Sequence, residues 1–198
     1  NRLVEKKLPG KDWEFIVYDK LDRPVATGPA LDPYGTQTTG WMITQYDVFG
    51  RVTQTGWKLM SVSATERKSK QDVVNSGSTP FVLAQNEILT KNFYDTYTFA
   101  GGPSLPATVE GQSATTAVKG MPTGSWVKVL DAVGSTSSET TYTLYDAKYR
   151  PIRVRTTNFL GGYTEVDTQL DWAGKVLKSV TKHKYNSNAA VVTTTETF

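Results

Sequence analysis

The sequence predicts an all-β fold in which antiparallel β-hairpins stack side by side into one curved sheet, with one short helix near residues 64–75. Three observations predict this fold. Tyr-Asp pairs recur at Tyr18, Tyr46, Tyr94 and Tyr145. Alternating runs rich in Thr and aromatic residues lie on both sides of these pairs, which is typical of paired strands. Turn residues such as Gly, Pro and Asn separate the runs.

The recurring pair marks a repeated structural unit. With ten Tyr and eleven Asp in 198 residues, chance placement would give about half of one such pair. Three of the pairs have an arginine five residues after the tyrosine. A weaker copy begins at Leu170-Asp171, and Tyr94-Asp95 keeps only the opening pair. The residues assigned to the repeat, all in structural roles, are Tyr18, Asp19, Arg23, Tyr46, Asp47, Gly50, Arg51, Tyr94, Asp95, Tyr145, Asp146, Arg150, Asp171, Gly174 and Lys175.

Each residue type in the repeat suits a tight turn between two strands. An aspartate carboxylate accepts hydrogen bonds from backbone N–H groups one or two residues further on, which holds a bend. The fifth position is Asp22, Gly50, Tyr149 or Gly174, and a hairpin corner there often needs a positive φ, which Gly and Asp tolerate. Because Tyr149 tolerates it poorly, the sequence predicts a different or a strained turn at that copy.

The arginine and the tyrosine of each copy connect the turn to its surroundings. The arginine is expected to fold back onto the aspartate, where an exposed pair contributes only about 0 to 1 kcal/mol and serves mainly to set the register. The tyrosine rings are expected to come into register between stacked hairpins, with each hydroxyl finding a hydrogen-bond partner. A hairpin alone is marginal and needs such neighbours.

The chain is expected to be one continuous repeat segment, residues 1–198, excised from a longer protein. The copies are separated by 28, 48, 51 and 25 residues, and the two long intervals predict insertions at about 58–93 and 100–141. Ser63 and Glu66 form a capping-box pattern that predicts the helix at 64–75. The second insertion is rich in Gly, Pro, Ser and Thr and is expected to be a loop.

The pattern Tyr46-Asp47-Val48-Phe49-Gly50-Arg51-Val52 between Thr-rich strands resembles the YD repeats of the RHS family. The resemblance covers nearly the full chain and is to large RHS-repeat proteins of the bacterial cell surface or secretome. It implies a β-sheet that winds spirally into a hollow shell, and a secreted or bacterial cell-surface location. The shell would enclose a C-terminal toxin domain. The C-terminal core with its autoproteolytic aspartates is not recognisable, so no catalytic residue is assigned.

Two functions from different classes follow. The first is a non-catalytic wall segment of an RHS shell, whose partners are neighbouring repeats of the same polypeptide and an enclosed domain. The second is a carbohydrate-binding or adhesion module of the cell surface, because exposed aromatic rings can stack on sugars. The candidate rings are Trp41, Trp57, Trp126 and Trp172. Aromatic residues at alternating strand positions more often belong to a core or a cross-strand ladder.

Composition and spacing argue against other classes. Glu110, Asp131, Glu139 and Glu165 could supply the two carboxylates of a glycosidase, but no spacing pairs them, so the protein is predicted not to be an enzyme. His183 has no ligand cluster around it, and no metal or cofactor is expected. The absence of Cys removes disulfides and thiolate metal sites. A net charge of +3 does not predict nucleic-acid binding, and no stretch is apolar enough for a membrane span.

Overall fold

A computed structural model describes residues 2–132 and 135–198. Asn1 and residues 133–134, which belong to the predicted second insertion, lie outside these ranges. Within them, the secondary structure consists of twelve strands, one α-helix and a short 3-10 helix at Gln85–Glu87. The strands and the α-helix are β1 Glu5–Lys7, β2 Trp13–Tyr18, β3 Pro24–Leu31, β4 Thr39–Tyr46, β5 Val52–Lys58, α1 Ala64–Asn75, β6 Ile88–Tyr94, β7 Pro122–Lys128, β8 Ser138–Tyr145, β9 Pro151–Thr157, β10 Gly161–Leu170, β11 Val176–Asn186 and β12 Val191–Thr197.

The strands form one antiparallel sheet in which neighbours along the chain are also neighbours in the sheet. The predicted all-β class and the antiparallel hairpins are confirmed. The predicted helix is α1, Ala64–Asn75. It begins after Ser63, whose hydroxyl accepts a hydrogen bond from the Glu66 N–H at 3.1 Å. This bond satisfies one of the donors that a helix start leaves open.

The chain divides into two compact units. The first unit comprises residues 1–91 and 130–136, and the second comprises residues 92–129 and 137–198. The predicted insertion at 58–93 contains β6, and the one at 100–141 contains β7 and the start of β8. Between strands, the inserted segments are residues 59–87 and residues 96–120. These two segments are called the first and the second insertion below.

Four hairpins share one irregularity of register, just before the turn. The register between the paired strands shifts by one residue at Val17/Tyr18 in β2–β3 and at Gln45/Tyr46 in β4–β5. The same shift occurs at Leu144/Tyr145 in β8–β9 and at Gln169/Leu170 in β10–β11. A β-bulge of this kind turns one backbone N–H and C=O out of the ladder. The same irregularity of backbone register therefore lies at the end of four hairpins.

The first unit has its core between the sheet and the first insertion. Val17, Ala26 and Ile43 are directly opposite one another on β2, β3 and β4 and are almost fully buried. Val74 of α1 and Phe81 cover them from the first insertion. The insertion therefore supplies the second layer that a sheet with one apolar face requires.

The second unit is built in the same way, with the second insertion as its cover. Leu144 and Tyr145 at the end of β8 are buried against Val109 and Val118. Residues 96–120 contain no long strand or helix, yet they bring these two apolar side chains onto the sheet. The loop character predicted for this region is thus combined with a packing role.

Beside this core, the second unit holds a network of charged side chains across β9, β10 and β11. Arg153 and Asp167 are directly opposite one another, and the Arg153 guanidinium donates to both Asp167 oxygens at 2.5 and 2.6 Å. Glu165 contacts Arg155 at 3.1 Å and Lys182 at 3.3 Å. Asp167 is only 2% and Glu165 only 4% exposed. Charges so deeply buried are tolerated because each has hydrogen-bonded counter-charges.

Candidate functional site

The repeated turn is closed by hydrogen bonds that centre on the aspartate. In the first copy the Asp19 N–H donates to the Arg23 carbonyl at 2.9 Å. The Asp19 Oδ1 atom accepts from the N–H groups of Leu21 at 2.8 Å and Arg23 at 2.9 Å. One carboxylate oxygen therefore holds two backbone donors of a five-residue bend, as expected for an aspartate turn.

The other copies form the same bonds with almost the same lengths. The Asp47 N–H donates to Arg51 at 2.9 Å and the Asp146 N–H to Arg150 at 3.0 Å. In the weaker copy, the Asp171 N–H donates to the Lys175 carbonyl at 2.9 Å, and Asp171 Oδ1 accepts from the Lys175 N–H at 2.8 Å. The aspartate, rather than the tyrosine before it, is what these four turns have in common.

The fifth position of the repeat has a positive φ in all four copies. The φ angle is 59° at Asp22, 84° at Gly50, 60° at Tyr149 and 97° at Gly174. Of the two turns predicted for Tyr149, the structure shows the strained one, because the bend has the same form as in the other copies. A bulky residue in the left-handed region costs about 1 to 2 kcal/mol.

Hydrogen bonding lowers the pKa of the turn aspartates. Partial burial alone would raise the pKa of Asp146, but bonds from the Arg150 N–H, the Arg150 guanidinium and the Lys148 N–H outweigh it, so the pKa lies below its usual value. The pKa of Asp19 is lowered for the same reasons. These carboxylates are charged at neutral pH, and they are bound to N–H groups and to the arginine of their own turn.

The arginine of the repeat links one hairpin to the next. Arg23 donates through Nε to Asp19 Oδ2 at 2.7 Å and through Nη1 to the Asp47 carbonyl at 3.3 Å. Its guanidinium carbon lies 4.6 Å from the centre of the Tyr46 ring, within the range of a cation–π contact. In the second unit, Arg150 Nη1 donates to the Asp171 carbonyl at 2.9 Å. The fold-back onto the aspartate thus positions the arginine for the neighbouring copy.

The tyrosine hydroxyls complete the same link from the other side. Tyr46 donates to the Pro24 carbonyl at 2.9 Å, and Tyr145 donates to the Pro122 carbonyl at 2.7 Å. Tyr18 donates to the Leu3 carbonyl at 2.6 Å, while Arg2 lies 5.0 Å from the Tyr18 ring centre. Residues 2 and 3 therefore occupy the positions that Arg23 and Pro24 occupy for Tyr46.

The Tyr94 copy keeps the turn closure around the second insertion. The Asp95 N–H donates to the Met121 carbonyl at 3.1 Å, and the Gly120 N–H donates to Asp95 Oδ1 at 2.6 Å. Met121 thus stands where the other copies have arginine. The sequence signal that could have identified it is Pro122, since Pro24 and Pro151 follow the arginine in two other copies.

The bulge beside the turn is capped by a carboxamide in two copies. Gln71 of α1 accepts from the Tyr18 N–H at 3.0 Å and donates to the Tyr18 carbonyl at 2.9 Å. Gln112 of the second insertion accepts from the Leu170 N–H at 3.1 Å and donates to the Thr168 carbonyl at 2.8 Å. In both copies one planar side chain satisfies a donor and an acceptor.

At the Tyr145 copy, a phenol and a peptide group form the equivalent cap. The Tyr145 N–H donates to the Tyr97 hydroxyl at 3.2 Å, and the Thr115 N–H donates to the Tyr145 carbonyl at 2.7 Å. Sequence reasoning missed all of these caps because they join residues 30 to 58 positions apart. No local pattern reveals such a pairing.

Sequence reasoning also missed a turn on the opposite side of the hairpins. Asn158 forms the bonds that Asp47 forms, because its N–H donates to the Gly162 carbonyl at 3.0 Å and its Oδ1 accepts from the Gly162 N–H at 2.7 Å. The signal that could have identified it is the spacing to Gly161, which equals the spacing from Asp47 to Gly50. Gly161 has the expected positive φ of 76°.

The four candidate tryptophans lie in different surroundings. Trp41 is fully buried and donates through its indole N–H to the Ser61 carbonyl at 3.0 Å, so its ring has no surface for a sugar. Trp57 is half-buried and lines a cavity of about 340 Å³. Trp172 is 85% exposed, and the Lys148 ammonium lies 4.1 Å from its ring centre. Trp126 is half-buried on β7.

Two of the four acidic candidates for catalysis, Glu110 and Glu165, are engaged with cations of the protein. Glu110 contacts Lys178 at 2.7 Å, and Glu165 belongs to the buried network described above. His183 shares a hydrogen bond of 2.9 Å with the Thr164 hydroxyl. No group of three His, Asp or Glu side chains that could hold a metal ion occurs in the described residues.

The sequence matches no protein-family model, and it matches no curated protein. Among the described residues, no helix is both long enough and apolar enough to cross a membrane.

Proposed function

We propose that the chain is a non-catalytic segment of an RHS-repeat shell, which encloses a toxin or another C-terminal domain in a secreted or cell-surface protein. The observation that carries the proposal is the contact between consecutive copies. Arg23 and Tyr46 join the β2–β3 hairpin to the β4–β5 hairpin. Arg150 joins the β8–β9 hairpin to the β10–β11 hairpin. Contacts of this kind between consecutive hairpins support a continuous wall, and this support does not depend on the identity of the enclosed domain.

The outer side of β12 offers backbone groups to which another strand can bind. All residues of β12, Val191–Thr197, are exposed. The Phe198 N–H donates to the Leu177 carbonyl at 3.0 Å, and alternate residues of an antiparallel strand face the same neighbour. The N–H of Thr194 therefore faces β11, whereas that of Thr195 faces away from it. A row of such groups is a template for another strand.

Substitution of Thr195 by proline tests this proposal. Light scattering after size-exclusion chromatography is expected to show concentration-dependent self-association of the unaltered chain. Thr195→Pro is expected to weaken this association at least tenfold with little change in melting temperature, because it removes an outward N–H. Thr194→Pro is the matched control and is expected to lower the melting temperature, since it removes a bond to β11. If the chain remains strictly monomeric at millimolar concentration, the β12 edge does not pair with another strand and the proposal is contradicted.

The second candidate function is a carbohydrate-binding or adhesion module, and the cavity at Trp57 favours it. Tyr34 and Trp57 line this cavity together with the polar groups of Asp32, Asn86 and Glu87. Aromatic faces combined with carboxylates and amides suit the apolar faces and hydroxyls of a sugar ring.

A glycan array separates this candidate from the first. If the cavity at Trp57 binds carbohydrate, the Trp57→Ala variant is expected to lose glycan binding. Trp172→Ala removes an exposed ring outside the cavity and is expected to keep that binding. An array without hits removes this function and leaves the wall segment.

A further inference from the structure

Beside each repeated turn, the bulge leaves a space between neighbouring hairpins where a group can bind the backbone N–H of the tyrosine position. Each such space is called a gap below. At each bulge the N–H of the tyrosine position leaves its own hairpin ladder. Three gaps are filled: the N–H donates to Gln71 at Tyr18, to Tyr97 at Tyr145 and to Gln112 at Leu170. The filling groups come from the insertions, which lie over the sheet.

The gap at Tyr46 is different. The ladder between β3 and β4 ends at the Ala26–Ile43 pair, so it does not reach Tyr46. Among the described residues, no side chain takes the place that Gln71 takes at Tyr18. The nearby amide of Gln45 is engaged elsewhere, because it donates to the Phe81 carbonyl at 3.2 Å and accepts from Gln54 at 2.6 Å.

A cavity of about 320 Å³ opens at this position. Its wall consists of the end of β4, the preceding turn and the end of the first insertion. The residues that line it include Asp19, Arg23, Tyr46, Val74, Thr79 and Phe81. A volume near 300 Å³ is at the lower end for ligand sites, which suits one side chain better than a large molecule.

We propose that this cavity binds the side chain of a glutamine from a partner peptide. Its carboxamide would take the position at Tyr46 that the carboxamides of Gln71 and Gln112 take at their bulges, with its oxygen accepting from the Tyr46 N–H. Its methylene groups would lie against Val74 and Phe81. The site goes beyond the proposed wall function and does not depend on it.

The charges of the cavity favour an uncharged carboxamide over a carboxylate or an ammonium group. Asp19 and Arg23 both line the cavity, but each already has its counter-charge, since Arg23 Nε donates to Asp19 at 2.7 Å. A charged ligand would lose its hydration without gaining an uncompensated partner. A carboxamide carries both a donor and an acceptor, which match the backbone C=O and N–H at a bulge.

Backbone NMR spectroscopy of the intact chain tests the site. Glutamine blocked as the N-acetyl N-methylamide is the probe, and glutamate blocked in the same way is the control, because it keeps the methylenes and replaces the amide. We expect a saturable shift of the Tyr46 amide signal with the glutamine probe and at least tenfold weaker binding of the glutamate probe. Equal responses to both probes, or no response of Tyr46, overturn the proposal.

Two further measurements guard against misinterpretation. Thr79→Trp places a large ring at the cavity and is expected to abolish the shift, whereas Val82→Trp, at an exposed position outside the cavity lining, is expected to leave it unchanged. In the absence of probe, the Tyr46 amide is expected to exchange its hydrogen faster than the amides of Tyr18, Tyr145 and Leu170. Equal protection of all four amides would show that the Tyr46 gap is already filled.

Discussion

The aspartate and arginine of each repeat work as one unit at the scale of single residues. The carboxylate fixes two backbone N–H groups and one guanidinium, and the guanidinium then reaches the next turn. Arg23 and Arg150 are only about one-quarter exposed, and the cost of removing both charges from water offsets much of their attraction. The larger effect is positional, because a side chain held at both ends defines where the neighbouring hairpin lies. Lysine lacks this planar fork, so Lys175 cannot form the link that Arg23 and Arg150 form.

Tyr149 provides a prediction about backbone strain. Tyr149→Gly is expected to raise the free energy of unfolding by about 0.5 to 1 kcal/mol, since relief of the left-handed strain exceeds the extra entropy of glycine in the unfolded chain. Chemical denaturation measures the change. Lys148→Gly, one position earlier in the same turn, is the control and is expected to destabilise the protein.

Acid stability follows from the lowered pKa values of the turn aspartates. A depressed pKa in the folded state adds stability that is fully present above the unfolded pKa of about 3.9 and disappears as the pH falls through the folded value. The free energy of unfolding is therefore expected to be level from pH 7 to about pH 5 and to fall below about pH 4. In Asp146→Asn the fall is expected to be shallower. Urea denaturation at several pH values measures it, and identical slopes in both proteins would contradict this contribution.

The insertions are the decisive elements at the scale of secondary structure. Each one adds an apolar layer and a polar cap to the sheet below it. The second insertion makes one turn about eight times longer than the others, and the chain entropy of closing such a loop adds only about 2 kcal/mol. Burial of Val109 and Val118 contributes about 1.5 to 3 kcal/mol for each side chain. The long turn is therefore compatible with a stable hairpin.

Gln71 tests the role of the cap. Gln71→Met keeps the length of the side chain but leaves the N–H and C=O of Tyr18 without partners, and it is expected to cost about 1 to 3 kcal/mol. Thermal melting measures the loss, and hydrogen exchange at the Tyr18 amide is expected to accelerate. Lys68→Met on the same helix is the control and is expected to change the stability by less than about 0.5 kcal/mol. A loss as small for Gln71→Met would show that water replaces the cap.

At the scale of the whole molecule, local sequence predicts the secondary structure, whereas contacts between residues far apart in the sequence complete the fold. Hairpins, turns and the helix were predictable because Asp47, Gly50 and Ser63 act on residues within a few positions. The Tyr149 turn kept the common form because the bonds to Asp146 outweigh the strain of one residue. The caps were not predictable, since Gln71 and Tyr18 meet only when the insertion folds back over the sheet. Trp41 illustrates the same limit, because alternation along β4 does not reveal which face an insertion covers.

The closure between Asp95 and Met121 has a practical consequence. The two ends of the second insertion are joined by two hydrogen bonds, one from the Asp95 N–H to the Met121 carbonyl and one from the Gly120 N–H to Asp95 Oδ1. Such a junction is a natural splice point, where a reporter peptide or a small folded cargo with adjacent termini can be grafted in exchange for residues 96–119. The graft must also shield Leu144 and Tyr145 from water and replace the caps that Tyr97 and Gln112 form.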